Sequence, residues 1–183
     1  LLLGCNYALL RPEFPGLRGR ALKKRKKTKE IKNILISIGG IDINNLTYDI
    51  LQEIKDNFNV TVVLGESSPH NKVIQKYAKG KNIKVIINAN NMAELMLETD
   101  LSIGAGGSTS WERCCLGLPT LLFITEDNQR KIAANLEQLG AVKVVDNFKE
   151  NLYNVLNNFS CWQVMSQRAQ IVCDGAGVKR VEI

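Results

Sequence analysis

The sequence has little histidine, few aromatic residues and no long apolar run. It contains one histidine, and only 6% of its 183 residues are Phe, Trp or Tyr. A single imidazole excludes histidine-rich metal centres, and the scarcity of aromatic side chains disfavours a surface on which nucleic acid bases stack. Because no apolar run approaches the roughly 20 residues of a membrane helix, the sequence predicts no membrane-spanning segment.

The cysteines lack the spacing of a metal site or of a disulfide framework. There are five of them, an odd number, and no Cys-x-x-Cys pair occurs. We therefore predict reduced, mostly buried thiols, no metal and no cofactor. Reduced thiols also predict a cytoplasmic location, since disulfides persist mainly in oxidising compartments.

Positive charge is concentrated in one segment. The formal net charge is +6, and residues 18–29 hold eight Lys or Arg side chains and no Asp or Glu. The rest of the chain is therefore mildly acidic, which argues against nucleic acid as a partner. We predict a solvated linker here. Attraction to an anionic membrane surface is the less favoured alternative.

Two regions are predicted along the chain. Residues 1–17 contain Pro12, Pro15 and Gly16, which interrupt regular structure. With the basic linker, they predict that residues 1–30 are the end of a preceding N-terminal domain plus a connection. Residues 31–183 are predicted to form a Rossmann-like C-terminal domain.

Short β-branched runs alternate with amphipathic stretches in the predicted domain. Strands are predicted at residues 34–38, 60–64, 83–87, 101–103, 120–123 and 142–145. Helices are predicted at residues 46–57, 71–78, 92–98, 108–116, 128–139, 149–157 and 162–172. Apolar strands separated by single helices are typical of right-handed crossovers. The predicted fold class is therefore α/β, with a doubly wound parallel sheet.

Two of the predicted strand-to-helix turns are rich in glycine, at residues 39–42 and 104–109. Ligands of such sheets bind at the carboxyl ends of strands, and glycine allows close approach of a phosphate and positive φ angles. Ser108 or Thr109 can cap the next helix, and Glu112, one turn further, is placed to accept hydrogen bonds from a ribose. A capping box, in which Glu112 bonds a free amide, is the alternative. The dinucleotide-binding fingerprint and the lysine of a Walker loop are both missing.

The run GAGGSTSWERCCLGLPTLLF at residues 104–123, followed by Asn128 and Gln129, resembles a known family. It is similar to the C-terminal domain of the UDP-2,4-diacetamido-2,4,6-trideoxy-β-L-altropyranose hydrolases of pseudaminic acid synthesis, a group that includes spore-coat polysaccharide biosynthesis proteins. The resemblance extends to residues 1–14, 34–42 and 174–183. These hydrolases share the two-domain GT-B architecture of the undecaprenyl-linked N-acetylglucosaminyltransferase of peptidoglycan synthesis. The resemblance implies a UDP-binding lobe of an enzyme that releases UDP and a diacetamido-trideoxyhexose.

Matched positions imply ligand roles for thirteen residues. The resemblance assigns the diphosphate to Gly106, Gly107, Ser108 and Thr109, the ribose to Glu112, the uracil edge to the segment of Ile86, Ile87 and Met92, and the sugar and the interdomain cleft to Gly39, Gly40, Asp42, Asn128 and Gln129. Considered singly, Asn128 has the alternative of capping a helix, and Met92 that of core packing.

The resemblance places the catalytic histidine in an N-terminal domain outside this chain. His70, the single histidine, precedes a predicted helix and is interpreted as a surface or capping residue. No catalytic residue is therefore predicted within the chain, and the expected partners are UDP or a UDP-sugar and that N-terminal domain. The alternatives are a UDP-sugar glycosyltransferase of the GT-B type and a non-catalytic nucleotide-sugar-binding module.

Overall fold

A computed structural model describes residues 4–145 and 159–181 of the chain. Its six strands are β1 Asn33–Ser37, β2 Asn59–Leu64, β3 Ile83–Ile87, β4 Leu101–Ala105, β5 Thr120–Phe123 and β6 Lys143–Val144. They form one sheet in the order β3-β2-β1-β4-β5-β6, and all five strand pairings are parallel. The predicted doubly wound parallel sheet is confirmed.

Helices connect the strands and cover both faces of the sheet. In the described ranges they are α1 Glu13–Lys27, α2 Leu46–Glu53, α3 Asn71–Ala78, α4 Met92–Glu98, α5 Thr109–Cys115, α6 Arg130–Gln138, α7 Phe159–Val172 and α8 Gly177–Val181. Two short 3-10 helices lie at Cys5–Tyr7 and Asp127–Gln129. The helix predicted at residues 149–157 lies outside the described residues. None of the described helices is long and apolar enough to cross a membrane.

Strand residues contribute alternately to two hydrophobic clusters, one on each face of the sheet. Leu35 of β1 belongs to the cluster with α1, α4, α5 and α6, whereas its neighbours Ile34 and Ile36 belong to the cluster with α2 and α3. Residues of α7 enter both clusters. Burial on both faces explains why residues 34–36 of β1 are continuously apolar instead of alternating with polar residues.

The predicted linker is wrong for most of the basic segment, because residues 13–27 form the helix α1. Pro15 lies in the first turn of this helix, where a backbone N–H has no intrahelical partner, so proline is tolerated there. Phe14 and Ala21 of α1 are fully buried against the sheet domain. Pro15 and Gly16 therefore lie within regular structure, contrary to the expectation, and Pro12 directly precedes it.

Several cations of α1 bind the carboxyl-terminal ends of other helices. Arg18 donates to the carbonyl oxygens of Gln170, at 2.7 Å, and of Cys173, at 3.0 Å. Arg25 donates to Met96, at 2.6 Å, and to Thr99. The last carbonyls of a helix lack intrahelical partners, so these cations satisfy them and bind α1 to α4 and α7. The prediction of solvation holds for five side chains of the basic segment, which are exposed: Arg20, Lys23, Lys26, Lys27 and Lys29.

Candidate functional site

A cleft of about 590 Å³ opens at the carboxyl ends of β1 and β4, which are neighbours in the sheet although they are not consecutive in the chain. The chain leaves β1 for one face and β4 for the other, so the loops that follow them diverge. This is the topological switch point at which doubly wound sheets bind ligands. The cleft lining includes the predicted site residues Gly39, Gly40, Asp42, Gly107, Ser108, Thr109 and Gln129.

The three glycines of the β4–α5 loop have different surroundings. A side chain at Gly104 would collide with the guanidinium of Arg113, and one at Gly106 would contact Leu122 and Gln129. Gly107 alone of the three has open space where a Cβ would lie. None of the three has a positive φ, contrary to our expectation, whereas Gly39 at the β1 end has φ of 114°. Gly107 is therefore the position at which a ligand can approach the backbone most closely.

Gln129 holds the β4–α5 loop against the β5–α6 loop. Its Oε1 accepts hydrogen bonds from the backbone N–H groups of Gly106, at 3.2 Å, and Thr125, at 3.1 Å. Its Nε2 donates to the Thr125 hydroxyl at 3.1 Å. Gln129 therefore shapes the cleft wall. Its neighbour Asn128 is exposed within a 3-10 helix, and the capping alternative does not hold for it, since Gln129 precedes α6.

Asp42 lines the cleft while its carboxylate caps α2. Oδ1 accepts from the amide of Leu46 and Oδ2 from that of Thr47, both at 2.9 Å. Asp42 has φ of 46°, which places the carboxylate beneath the start of the helix. Both oxygens already accept protein hydrogen bonds, so the visible role of Asp42 is to fix the β1–α2 loop.

Glu112 lies on α5 but is not among the residues that line this cleft. Its side chain is 19% exposed, and Oε1 lies 3.7 Å from Nη2 of Arg11. Burial raises the pKa of the Glu112 carboxyl, while the positive charges of Arg11 and Arg113 oppose that rise. The capping box is not formed, because Ser108 makes no side-chain capping bond and the carboxylate pairs with Arg11 instead.

Residues 23–168 match the glycosyltransferase family 28 C-terminal domain. The chain belongs to this family. Among curated relatives of this family 28 domain, an uncharacterised protein of Methanocaldococcus jannaschii is 41% identical over 135 residues, which are 70% of this chain and 28% of that protein. The spore coat polysaccharide biosynthesis protein SpsG of Bacillus subtilis is 32% identical over 145 residues, 75% of this chain and 41% of that protein.

A UDP-2,4-diacetamido-2,4,6-trideoxy-beta-L-altropyranose hydrolase of Campylobacter jejuni is 31% identical over 139 residues, 75% of this chain and 48% of that protein. The family 28 domain thus spans less than half the length of these curated relatives. Acinetobacter baumannii MurG has a TM-score of 0.66 at 18% identity, covering 88% of this chain and 51% of MurG. At that identity, the structural likeness shows the shared GT-B-type fold alone.

The predicted uracil-binding segment of the family 28 domain lies away from the cleft, at the edge of the sheet. Ile86 and Ile87 end β3, an edge strand, and Met92 begins α4. Ile86 and Met92 pack against the same hydrophobic cluster as Trp111 of α5. The core-packing alternative for Met92 therefore holds for its side chain.

The single histidine lies beside the cleft but is already engaged. Nε2 of His70 lies 2.9 Å from the carbonyl oxygen of Ile43, to which it donates a hydrogen bond. His70 precedes α3 without making a side-chain capping bond, and its side chain is partly buried. This contact supports a structural role, in which His70 holds the β1–α2 loop against the start of α3.

Arg113 is a cleft residue that sequence reasoning missed. It lines the cleft although it is only 2% exposed. Our prediction concentrated on the glycines and on Glu112, and an arginine in the middle of a short amphipathic helix is ordinarily solvated. The available signal was its place between Glu112 and the apolar run of residues 114–116, where the helix turns toward the core.

Proposed function

We propose that this family 28 domain is the UDP-sugar-binding half of a two-domain GT-B enzyme. The observation that carries the proposal is the cleft at the ends of β1 and β4, in which Gly107 leaves the backbone open and Arg113 supplies a buried positive charge. An anionic ligand suits this combination, because opposite charge in a poorly solvated site is strongly favoured. One of the relatives is named as a UDP-sugar hydrolase, and this name supports a UDP-sugar as the anionic ligand.

In the proposed complex, the ligand extends from the cleft across α5. The diphosphate contacts the loop of Gly106, Gly107, Ser108 and Thr109. The ribose lies at Glu112, and the uracil reaches the backbone of the segment of Ile86, Ile87 and Met92. This order is the one that the resemblance implies, and it is supported by Trp111, the neighbour of Glu112, which packs against the same hydrophobic cluster as Met92 of α4.

The sugar occupies the opposite part of the cleft, toward Gly39 and Gly40. Both glycines have open space at the Cβ position, so this loop offers backbone to a ligand. Asp42 and Gln129 act here by fixing the loops that they bind. Asn128, which is exposed, contacts the sugar only if the second domain brings the ligand toward it.

We propose hydrolysis as the reaction, with UDP and a diacetamido-trideoxyhexose as products. The family 28 domain stabilises the negative charge that develops on the departing UDP, and such preorganised electrostatic stabilisation is often the largest catalytic contribution. In this proposal, the base that activates water comes from the second domain of the GT-B enzyme. The second candidate reaction is transfer of the sugar to an acceptor, and the membership of this chain in a glycosyltransferase family favours it.

A matched pair of substitutions at Gly107 tests the binding site. Gly107→Asp places a carboxylate where the diphosphate is proposed, and Gly107→Asn places a neutral group of the same shape there. Neither should disturb the fold, since Gly107 has open space and no positive φ. We expect the Asp variant to bind UDP roughly 10- to 100-fold more weakly than the Asn variant, because like charges repel strongly in a partly buried site. Calorimetric titration measures both affinities.

Equal UDP affinities in the two variants would place the diphosphate elsewhere and contradict the proposal. The reaction is tested separately, by adding a UDP-sugar to the 183-residue chain and measuring free UDP. We expect no turnover by the chain alone, because His70, its single histidine, is engaged with Ile43. Turnover at the rate of an intact two-domain relative would overturn the assignment of the base to another domain.

A further inference from the structure

Arg113 combines burial with an unused donor. Its Nη2 donates to the carbonyl oxygen of Ala105 at 2.5 Å, and its Nε donates to that of Thr109 at 3.2 Å. These two carbonyls lie at the two ends of the β4–α5 loop, so one guanidinium holds both ends. Nη1 is buried and has no hydrogen-bond partner among the described residues. The group is thus only partly satisfied by the protein itself.

Arg113 has no ion-pair partner among the described residues, although the negative charge of Glu112 acts on it. None of the ion pairs within the described residues includes it, and its sequence neighbour Glu112 pairs with Arg11. Burial lowers the pKa of Arg113 to about 10, and Cys114 and Glu112 oppose the shift only in part. A buried cation without a counter-charge is costly, and a protein retains one where an anion completes the site.

The buried Arg25 provides a comparison within the same chain. Burial lowers the pKa of Arg25 to about 10 as well, and Arg25 also donates to two backbone carbonyls. The negative charges of Asp100 and Glu98 act on Arg25, which lies away from the cleft. Neither arginine is in an ion pair within the described residues, and each has one buried nitrogen without a partner there, Nε in Arg25 and Nη1 in Arg113. The two differ in place, because Arg113 lines the cleft and Arg25 does not.

The backbone makes room for Arg113 at the junction of β1 and β4. A Cβ at Gly104 would collide with Nη1 of Arg113 and would lie 2.9 Å from the carbonyl oxygen of Ser37. Gly104 has no positive φ, so the requirement for glycine is one of space and not of backbone conformation. The sheet is therefore built to hold a guanidinium under the cleft.

We propose that Arg113 is a positioning residue that makes the cleft selective for ligands bearing two phosphate groups. It acts from beneath the β4–α5 loop, by its positive charge and by holding the loop ends at Ala105 and Thr109. This inference rests on the proposed function, since the ligand series below is built on uridine. The positive charge of Arg113 favours UDP over UMP, and UMP over uridine.

The test is a comparison of three ligands against Arg113→Met, with Arg25→Met as the matched control. Uridine, UMP and UDP are titrated into each protein by calorimetry, and inorganic pyrophosphate is used as a competitor. We expect Arg113→Met to weaken UDP roughly 10- to 100-fold and UMP less, since Coulomb attraction scales with ligand charge. Uridine affinity should change by less than about threefold. Arg25→Met should lower the melting temperature while leaving the ratio of UDP to uridine affinity unchanged.

Equal losses for all three ligands in Arg113→Met would show a merely structural role and overturn the inference. If that variant does not fold, Arg113→Lys and Gly104→Ala replace it. Arg113→Lys should keep the preference for UDP over uridine. Gly104→Ala, in which the new Cβ displaces the Arg113 guanidinium, should reduce that preference. The opposite pattern overturns the inference. Failure of the wild-type chain to bind UDP would instead refute the proposed function itself.

Discussion

Glu112→Gln separates a ribose-binding role of Glu112 from a role in the fold alone. In the structure the carboxylate is 19% exposed and pairs with Arg11, whose own side chain is 47% exposed, at 3.7 Å. An ion pair with one partner so exposed contributes about 1 kcal/mol or less. Charge-assisted hydrogen bonds to ribose hydroxyls are worth roughly 1.5–3 kcal/mol. Losing them should therefore weaken UDP binding on the order of 10- to 150-fold, with a much smaller loss of stability.

The assay is calorimetric titration of UDP and 2′-deoxy-UDP into the wild type and into Glu112→Gln, beside a thermal melt of each. The deoxy ligand lacks one of the proposed contacts, so it should lose less affinity on substitution than UDP does. The four affinities form a double-mutant cycle, which isolates the contact between the carboxylate and the 2′-hydroxyl. Equal losses for both ligands, with a lowered melting temperature, would refute the reasoning and leave Glu112 as a partner of Arg11.

The pKa of Glu112 adds a pH dependence to this prediction. Burial raises the pKa of the carboxyl, so it takes up a proton at a higher pH than the roughly 4.3 of an ordinary glutamate. Only the carboxylate accepts from both hydroxyls, so the advantage of wild type over Glu112→Gln in UDP affinity should disappear as the pH falls through this raised value. The phosphates of UDP titrate alike in both proteins, so the ratio of affinities isolates Glu112. In the free protein the raised pKa means that the charge opposes folding, and this opposition is relieved at low pH.

Two further predictions concern the rest of the domain. A hydrogen bond from the Arg180 guanidinium, and secondly one from the Ala176 amide, lowers the pKa of the Asp174 carboxyl. The carboxylate therefore stabilises the fold at pH values above the pKa that Asp174 has in the unfolded chain. This stabilisation is lost as the pH falls through the lowered pKa. Because the pair is solvent-screened, Asp174→Asn should cost about 1 kcal/mol or less at pH 7. The difference in melting temperature should shrink as the pH falls below the roughly 3.9 of an ordinary aspartate, and a difference that stays constant from about pH 5 to about pH 2 would contradict this account. Cys161 is exposed, whereas burial raises the pKa of Cys114 to about 12 and that of Cys115 to about 11. A thiol reagent should therefore label Cys161 rapidly, Cys161→Ser should remove this fast phase, and rapid labelling of either buried thiol in the native protein would be incompatible with the packing.

The strands could be predicted because burial on both faces of the sheet requires continuously apolar segments. Residues 34–36 and 121–123 are continuously apolar, and the structure buries them on both sides of the sheet. Local turn chemistry likewise located the loops after β1 and β4, which line the cleft. The sequence did not predict that these two loops adjoin, which follows from the strand order, in which β1 pairs with β4.

The basic segment shows where local reasoning was insufficient. Glycines, prolines and a run of positive charge predict an irregular, solvated connection, yet Phe14 and Ala21 are buried and Arg18 and Arg25 bind distant helix ends. These contacts join residues more than 70 positions apart in the chain. Tertiary packing outweighs a weak local propensity, so no short stretch of the sequence could reveal the helix.

By itself, the sequence determined the fold class, the order of the elements from β1 to β6 and the two loops at which a ligand is expected. These properties depend on hydrophobic periodicity and on glycine and helix-capping residues, which act over a few positions. Only the tertiary structure decided that Gln129 and Asp42 use their polar atoms to hold loops, that Glu112 pairs with Arg11, and that Gly104 makes room for Arg113. Those outcomes depend on which side chains meet when six strands assemble around a single switch point. Hydrogen-bond partners and charge compensation are properties of that assembly, and no local pattern encodes them.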